Sequence, residues 1–301
     1  MRGTDSVDAA LRGGNRVRVP GTGRTAALAA WVGANRWISV LLVIAVAMMV
    51  FAIVAPWIAP GDPTEVVLSQ RYLPLWSEGH AMGTDHLGRD YLSRLIVGGR
   101  LSIMAGLIPA FGAMVAGLVI GMTSGYFGGW VDSVLMRIID VLLAFPFLLL
   151  VILMVAVLGT DIRNAMIALM IGGTPGTART LRSLVLSIKQ RPFVEAAEVS
   201  GLGGWRIIRY EIFPNVLPLA VALMTIQMSW MIVAIAGLSF LGLGVRPPDA
   251  DWGTLIAEAR GHIFRAPYLA LIPSVLVALV SFVFFVLGDA LQRTLGEERV
   301  R

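Results

Sequence analysis

The sequence predicts an all-α membrane protein with six transmembrane helices and with both termini in the cytoplasm. Of its 301 residues, 57% are hydrophobic and 14% are charged, whereas soluble proteins carry about 25% charged residues. Uncharged apolar runs of about 20 residues recur along the chain, and each is long enough to cross a hydrocarbon core about 30 Å thick. The segments on the side of the N-terminus carry twice as many Lys and Arg residues as the opposite side, which predicts that they face the cytoplasm.

The first span is predicted at residues 37–59, after a cytoplasmic tail at residues 1–36. The tail lacks the apolar core of a signal peptide. Its segment 24–36 could form a short interfacial helix, with Trp31 and Trp37 at headgroup depth. Residues 60–97 form a polar loop on the outer side.

Five further spans complete the predicted fold, and residues 290–301 form a second cytoplasmic tail. Within the second span, small residues recur at every fourth position, a pattern that lets another helix approach closely. Pro146 lies inside the third span, and glycines around Pro175 interrupt the fourth. The spans are predicted at about 101–122, 134–158, 164–186, 216–243 and 268–287, and the small residues are Ala113, Gly117, Gly121 and Gly125.

Residues 195–214 form the longest polar interruption in the second half of the chain. A short helix around Glu195 is predicted to break at Gly201, and a second short helix is predicted to stop at Pro214. Two short helices at an angle make a rigid knob between spans. The pattern alone also fits a loop that only joins two spans.

The residue inventory excludes several kinds of chemistry. The chain has no Cys and only three scattered His residues, so neither a metal site nor a nucleophile with its base is expected. Its single Lys, Lys189, is followed by Gln190, so no phosphate-binding loop for ATP is present. We therefore expect no catalytic residue, no metal and no cofactor in this chain, and no nucleic-acid partner.

An acid inside a predicted span offers an alternative function. Asp140 could serve a proton-coupled secondary transporter, although Arg137, three residues earlier, is placed to pair with it. A membrane enzyme is a weaker alternative for want of a catalytic group. Small polar residues in the fourth and fifth spans could either line a pathway or form interhelical hydrogen bonds; they are Thr174, Thr177, Thr225, Gln227 and Ser229.

The polar loop before the second span carries a cluster of charges. Thr84 or Asp85 could cap a short helix there, and Asp85, Arg89 and Asp90 could pair locally. A solvated or structural turn is the simpler interpretation of such a cluster.

Two sets of residues resemble one family. Glu195-Ala196-Ala197, then Gly201, then Ile212-Phe213-Pro214 at long fixed spacing resembles the EAA loop of binding-protein-dependent ABC importer permeases. The usual Leu before that proline is Phe213 here. The loop before the second span is similar to the signature of the C-type permease subunit of dipeptide, oligopeptide and nickel importers, through Gly83, Thr84, Asp85, Gly88, Arg89 and Asp90.

The resemblance implies a type I ABC importer fold, with the transport domain at residues 98–289. It implies that Glu195, Ala196, Ala197, Gly201, Ile212 and Pro214 couple the chain to an ATPase. The expected partners are a homologous B-type permease, two cytoplasmic ATP-binding subunits that use ATP and Mg, and an extracytoplasmic substrate-binding protein. The expected substrate is a dipeptide or short oligopeptide, and the expected location is the bacterial inner membrane.

Overall fold

The computed structural model describes residues 36–297, and this part of the chain is almost entirely helical. The β-structure of the described residues consists of two isolated bridges, Ser77 to His80 and Thr84 to Asp90. The predicted tail and interfacial helix lie outside the described residues, apart from Arg36. The helices are α1 Arg36–Ile58, α2 Tyr91–Phe127, α3 Gly129–Leu143, α4 Phe147–Leu158, α5 Ile162–Lys189, α6 Pro192–Val199, α7 Gly204–Ile207, α8 Phe213–Phe240, α9 Trp252–Ala259 and α10 Tyr268–Glu297.

Four helical segments of the described chain are long and apolar enough to cross a membrane: α1, α2, the continuous stretch from α7 through α8, and α10. The pair α3 and α4 would count as a fifth if it forms one bent span. The helix α5 does not belong to this group, because Gly, Thr, Pro and Asn residues make it less apolar, in addition to Arg163, Arg179, Arg182 and Lys189. The six-span count therefore stays a prediction, while the all-helical membrane fold is confirmed.

The third predicted span is not one straight helix, because α3 and α4 meet at an angle of 89°. Pro146 is the N-cap of α4, with φ −56° and ψ 131°. A proline has no amide hydrogen and disfavours helical geometry in the residue before it, so it separates the two helices at Phe145.

The predicted interruption of the fourth span is wrong, since α5 runs unbroken through Pro175. The hydroxyl of Thr174 donates to the carbonyl oxygen of Met170 at 2.8 Å. Gly172 and Gly173 serve contact rather than bending. An added Cβ at Gly173 would come within 2.5 Å of the Gln227 side chain on α8.

The predicted small-residue stripe on α2 is confirmed as a helix contact. A Cβ on Gly117 would lie 2.6 Å from Thr177, one on Gly121 2.8 Å from the carbonyl oxygen of Ala178, and one on Gly125 2.9 Å from Val185. These partners all belong to α5, so the two helices approach until backbone meets backbone. This contact places the end of α5, and the knob that follows it, beside the end of α2.

Candidate functional site

The knob, residues 192–213, begins with α6 and a tight C-terminal turn. Gly201 lies at φ +77°, the left-handed conformation that glycine adopts without cost. Its N–H donates to the carbonyl oxygen of Glu198 at 3.0 Å, and the N–H of Leu202 donates to that of Ala197 at 3.2 Å. This pair of bonds is a Schellman motif, which satisfies the last carbonyl groups of the helix.

The second half of the knob does not stop at Pro214, contrary to the sequence prediction. Residues Ile208–Ile212 form a π-helical turn, in which the N–H of Phe213 donates to the carbonyl oxygen of Ile208. The wider turn leads into α8, where Pro214 stands in the first turn and needs no helical donor. The knob and the long helix α8 are therefore one continuous helical element.

The predicted coupling residues differ in exposure. Glu195 and Ala196 are exposed on α6, whereas Ala197 is only 8% exposed and packs against the core. Glu195 lies in the first turn of α6, where a carboxylate is favourable, but the N-cap is Arg191 and the helix has no side-chain cap bond. Ile212 is fully buried.

The inner face of the knob is fixed to α2 and α5. Val194, Ala197 and Ile207 share one apolar cluster with Leu181 and Val185 of α5. The hydroxyl of Tyr126, at the end of α2, donates to Glu198 at 3.2 Å, and Lys189 donates to the carbonyl oxygen of Tyr126 at 2.8 Å. These contacts hold the knob against the ends of two helices.

The outer face of the knob exposes apolar side chains. Val199 is 84% exposed, Trp205 66% and Leu202 40%. Exposed apolar side chains that lie close together are one mark of a protein contact.

The family-signature loop lies at the opposite end of α2, and its polar side chains are buried. Asp90 is the N-cap of α2 and accepts from the N–H of Ser93 at 2.8 Å, so the cap is neither Thr84 nor Asp85. Thr84 is fully buried, and its hydroxyl accepts from the N–H of Leu73. Gly83 and Gly88 form turns, and a Cβ on Gly88 would collide with the carbonyl oxygen of Val67.

Three buried charged residues and the partly exposed Glu258 form a cluster, which we call the loop cluster: Asp85, Arg89, Arg94 and Glu258. Arg89 contacts Asp85 and Glu258 at 2.7 Å each, and Arg94 contacts the same two acids at 2.7 and 2.6 Å. Burial alone would raise the pKa of Asp85, but the guanidinium groups of Arg94 and Arg89 outweigh it and the pKa is lowered. The cluster ties the loop before α2 to α9. Sequence reasoning missed Glu258, because nothing in its local pattern points to residues so distant in the chain.

A pair of histidines adjoins the loop cluster. The rings of His86 and His262 stack with centroids 5.1 Å apart, and Nδ1 of His262 lies 2.9 Å from the hydroxyl of Tyr72. Donor atoms of Asp85, His86 and Glu258 lie within 4.8 Å of one another. Both carboxylates already neutralise guanidinium groups, so this set is poorly suited to a cation.

A second buried acid was also missed from the sequence. Asp251 is fully buried and accepts from the hydroxyl of Ser239 at 2.8 Å and from the N–H of Thr254 at 2.8 Å. Burial raises the pKa of this carboxyl, and the bonds from Thr254 and Ser239 act in the opposite direction. The contact fastens the end of α8 to the start of α9.

The five polar residues considered for a pathway lie on α5 and α8. Gln227 donates to the carbonyl oxygen of Gly173 at 3.0 Å and accepts from Thr177 at 3.2 Å, so these two side chains join the helices. Thr174 and Ser229 are buried within the chain, whereas Thr225 is partly exposed and bonds the carbonyl oxygen of Val221.

Asp140, the basis of the alternative transporter, does not pair with Arg137. It pairs with Arg179 of α5 at 2.5 Å, and both side chains are more than half exposed. The sequence suggested Arg137 because the two residues share one helix, but α3 turns this acid toward α5. A second pair, Asp132 with Arg182, lies about two turns earlier on α3 and about one turn later on α5.

Comparison with known proteins identifies the fold and the family. The family model described as "Binding-protein-dependent transport system inner membrane component" matches residues 117–297. The chain belongs to this family of importer permeases. A solved structure of the MetNI methionine ABC transporter is similar to the permease with a TM-score of 0.55 and 21% identity, over 67% of this chain and 96% of that one. The type I importer fold is thereby confirmed.

The relatives of the permease carry three substrate names. The dipeptide transport permease DppC of Haemophilus influenzae is 37% identical over 87% of this chain and 90% of its own length. The glutathione transport permease GsiD of Pectobacterium atrosepticum is 37% identical over 85% of this chain and 83% of its own. The nickel transport permease NikC of Escherichia coli is 37% identical over 86% of this chain and 93% of its own.

The permease is therefore a multi-pass inner-membrane subunit of an ABC importer and not itself an enzyme, since ATP hydrolysis resides in separate subunits. Membership of the family implies that the permease works in the membrane together with ATPase and substrate-binding partners.

Proposed function

We propose that this permease forms half of the pathway of an importer for dipeptides or short oligopeptides, and that its knob receives the motion of a cytoplasmic ATPase. The other half of the pathway is a homologous B-type permease. Two ATP-binding subunits supply ATP and Mg chemistry, and an extracytoplasmic binding protein delivers the substrate. Two of the three relatives described above are named for peptide substrates, dipeptides and glutathione, which favours peptides over nickel.

The observation that carries the coupling role is the continuity of the knob with α8. Its inner face is buried against α2 and α5, while Ala196, Val199 and Trp205 are exposed on the outer face. A partner that displaces this outer face displaces α8 with it, because the π-turn leaves no break between them. Rigid-body movement of this kind is a common way to switch a transporter between two states.

The pathway is proposed at the junction of α5 and α8, where Thr174, Thr177, Thr225, Gln227 and Ser229 lie. The bonds from Gln227 to Thr177 and to the backbone of α5 would hold one arrangement of this junction. Tilting of α8 would break and remake them, so these residues are proposed to change partners during transport.

Co-purification from membranes tests the coupling role. The permease is purified with its associated proteins as wild type, as Ala196→Arg and as the control Ser133→Arg. Ser133 is exposed on α3, so the control adds the same charge outside the knob. We expect ATPase subunits with the wild type and the control, and their loss from Ala196→Arg. Retention of the ATPase by Ala196→Arg would refute the knob as the contact. Uptake of labelled dipeptide against labelled nickel then tests the substrate class.

A further inference from the structure

An apolar cavity of about 530 Å³ lies between α1, α2, α9 and α10. Every side chain that lines it is hydrocarbon, thioether or aromatic, including Met48 and Phe51 of α1, Ile96 of α2, Trp252 of α9 and Leu276 of α10. Met82, from the loop before α2, also lines it. The cavity therefore lies at the same end of α2 as the family-signature loop.

The cavity is open over much of its boundary and is too apolar to hold ordered water. Water would find no polar partner among these side chains. Unfilled apolar walls forgo the dispersion contacts that a hydrocarbon chain would make with them. At the edge of the cavity the helices pack closely, since a Cβ on Gly99 would lie 2.7 Å from Trp252 and 3.2 Å from Phe51.

The volume decides what can fill the cavity. One turn of an α-helix, with a pitch of 5.4 Å and a diameter of 10–12 Å, occupies roughly 400–600 Å³. A transmembrane helix of a partner subunit needs several such turns, so the cavity would hold only part of it. A single flexible hydrocarbon chain does fit, and the bilayer around α1 and α10 supplies such chains.

A charged residue at the edge of the cavity is complementary to a lipid headgroup. Arg100 is exposed. It lies four residues after Ile96 and three before Ile103, and because both isoleucines line the cavity, Arg100 borders the same face of α2. Within the described residues, its guanidinium makes no ion pair or hydrogen bond. An arginine can keep its stem among acyl chains while its charged end reaches the headgroup level, where it binds phosphate well.

We propose that this cavity binds one acyl chain of a phospholipid whose phosphate is held by Arg100. The bound lipid fills the space between α1 and the helices of the transport domain. It is separate from the knob and from the proposed pathway, so the proposal does not depend on the proposed function.

The test uses the detergent-purified permease complex and a trace of phosphatidylglycerol with a photoactivatable group on its acyl chain. Detergent removes loosely held lipid, and peptide mapping locates the cross-link. We expect labelling at Met48, Ile96 and Leu276, and little at Val275, which is exposed on another face of α10. Labelling confined to the outward faces, or a cross-link from a second protein chain into the cavity, would overturn the proposal.

Two substitutions test the contributions of the acyl chain and of the headgroup separately. Ala47→Trp fills the cavity and should reduce labelling about tenfold or more, whereas Val46→Trp, on the opposite face of α1, should leave it unchanged. Arg100→Gln should weaken retention of phosphatidylglycerol roughly fivefold and leave diacylglycerol with the same chains unaffected. Equal labelling by the two lipids in wild type, or no effect of Ala47→Trp in a complex that elutes normally, would contradict the proposal.

Discussion

Arg94 donates a hydrogen bond to Glu258 at 2.6 Å and so joins the first turn of α2 to α9, although the two residues are 164 positions apart in sequence. Arg94 is 2% exposed, and its other carboxylate partner is Asp85. The two buried guanidinium groups of the loop cluster are balanced only by the two acids, within the described part of the chain. The cluster is therefore a structural unit, and removing one acid leaves a buried charge without compensation.

Replacement of Glu258 by alanine should lower the free energy of unfolding by about 3 kcal/mol, because Arg89 and Arg94 then share Asp85 alone. The measurement is thermal or denaturant unfolding of the purified permease in detergent. Asp289→Ala is the matched control, since Asp289 pairs with Arg293 on an exposed helix surface and should contribute less than about 1 kcal/mol. If the free energy of unfolding falls equally in the two variants, the loop cluster stabilises the fold no more than an exposed ion pair does.

Replacement of Gly121 by leucine should prevent the close contact of α2 and α5. Even an alanine there would place its Cβ 2.8 Å from the carbonyl oxygen of Ala178, so Gly121→Ala should cost about 1–3 kcal/mol. Gly176→Ala on α5 is the control, because nothing lies within 4 Å of its added Cβ and alanine favours a helix. Unfolding midpoints of the two alanine variants should move in opposite directions. A stable Gly121→Leu protein would refute the packing argument.

Replacement of Gly201 by valine should strain the knob through the backbone and not through a collision, since a Cβ there meets nothing within 4 Å. A β-branched residue at φ +77° costs about 1–3 kcal/mol. The N–H groups of Gly203 and Gly204 should keep their exchange rates, whereas that of Leu202 should exchange from about fivefold to about a hundredfold faster.

The same substitution should uncouple transport from ATP hydrolysis, with uptake falling while hydrolysis continues. Gly203→Val is the control, because Gly203 has φ −66° and open space around its Cβ. Normal uptake with Gly201→Val would show that the turn is not needed for coupling.

The stability of the permease should fall as the pH drops below about 6.5, in part because of His86. Burial lowers the pKa of His86 below 6.5; Asp85 and Glu258 act in the opposite direction, and Arg89 and His262 add to the lowering. The folded protein then binds this proton less tightly than the unfolded chain, so stability is full above pH 6.5 and is lost as the pH falls toward the folded pKa. Unfolding midpoints measured between about pH 7.5 and pH 5 should fall less steeply in His86→Gln. If the unfolding midpoints of His86→Gln fall with pH as steeply as those of the wild type, other groups cause the pH dependence.

The helices were predictable from the sequence because long apolar runs and small-residue spacing act locally, as the stripe from Gly117 to Gly125 illustrates. The turn at Gly201 was predictable for the same reason. The π-turn at Ile208–Ile212 was not, because a proline such as Pro214 usually ends a helix and only the surrounding packing lets this one begin α8. Glu258 and Asp251 were missed because their partners lie far away in sequence, and periodicity carries no information about such pairs.

The π-turn also preserves the rotational phase of α8. Each residue of an α-helix advances its side chain by about 100° around the axis, and the π-turn holds one residue more than an α-turn would. Deleting one residue between Ile208 and Ile212 would leave an uninterrupted α-helix of ordinary pitch. Because the wide turn absorbs the extra residue, everything beyond would keep its angle, and Gln227 would still face Thr177. A deletion in the regular part of α8 before Gln227 has no wide turn to absorb it and would rotate Gln227 by about 100°, away from Thr177.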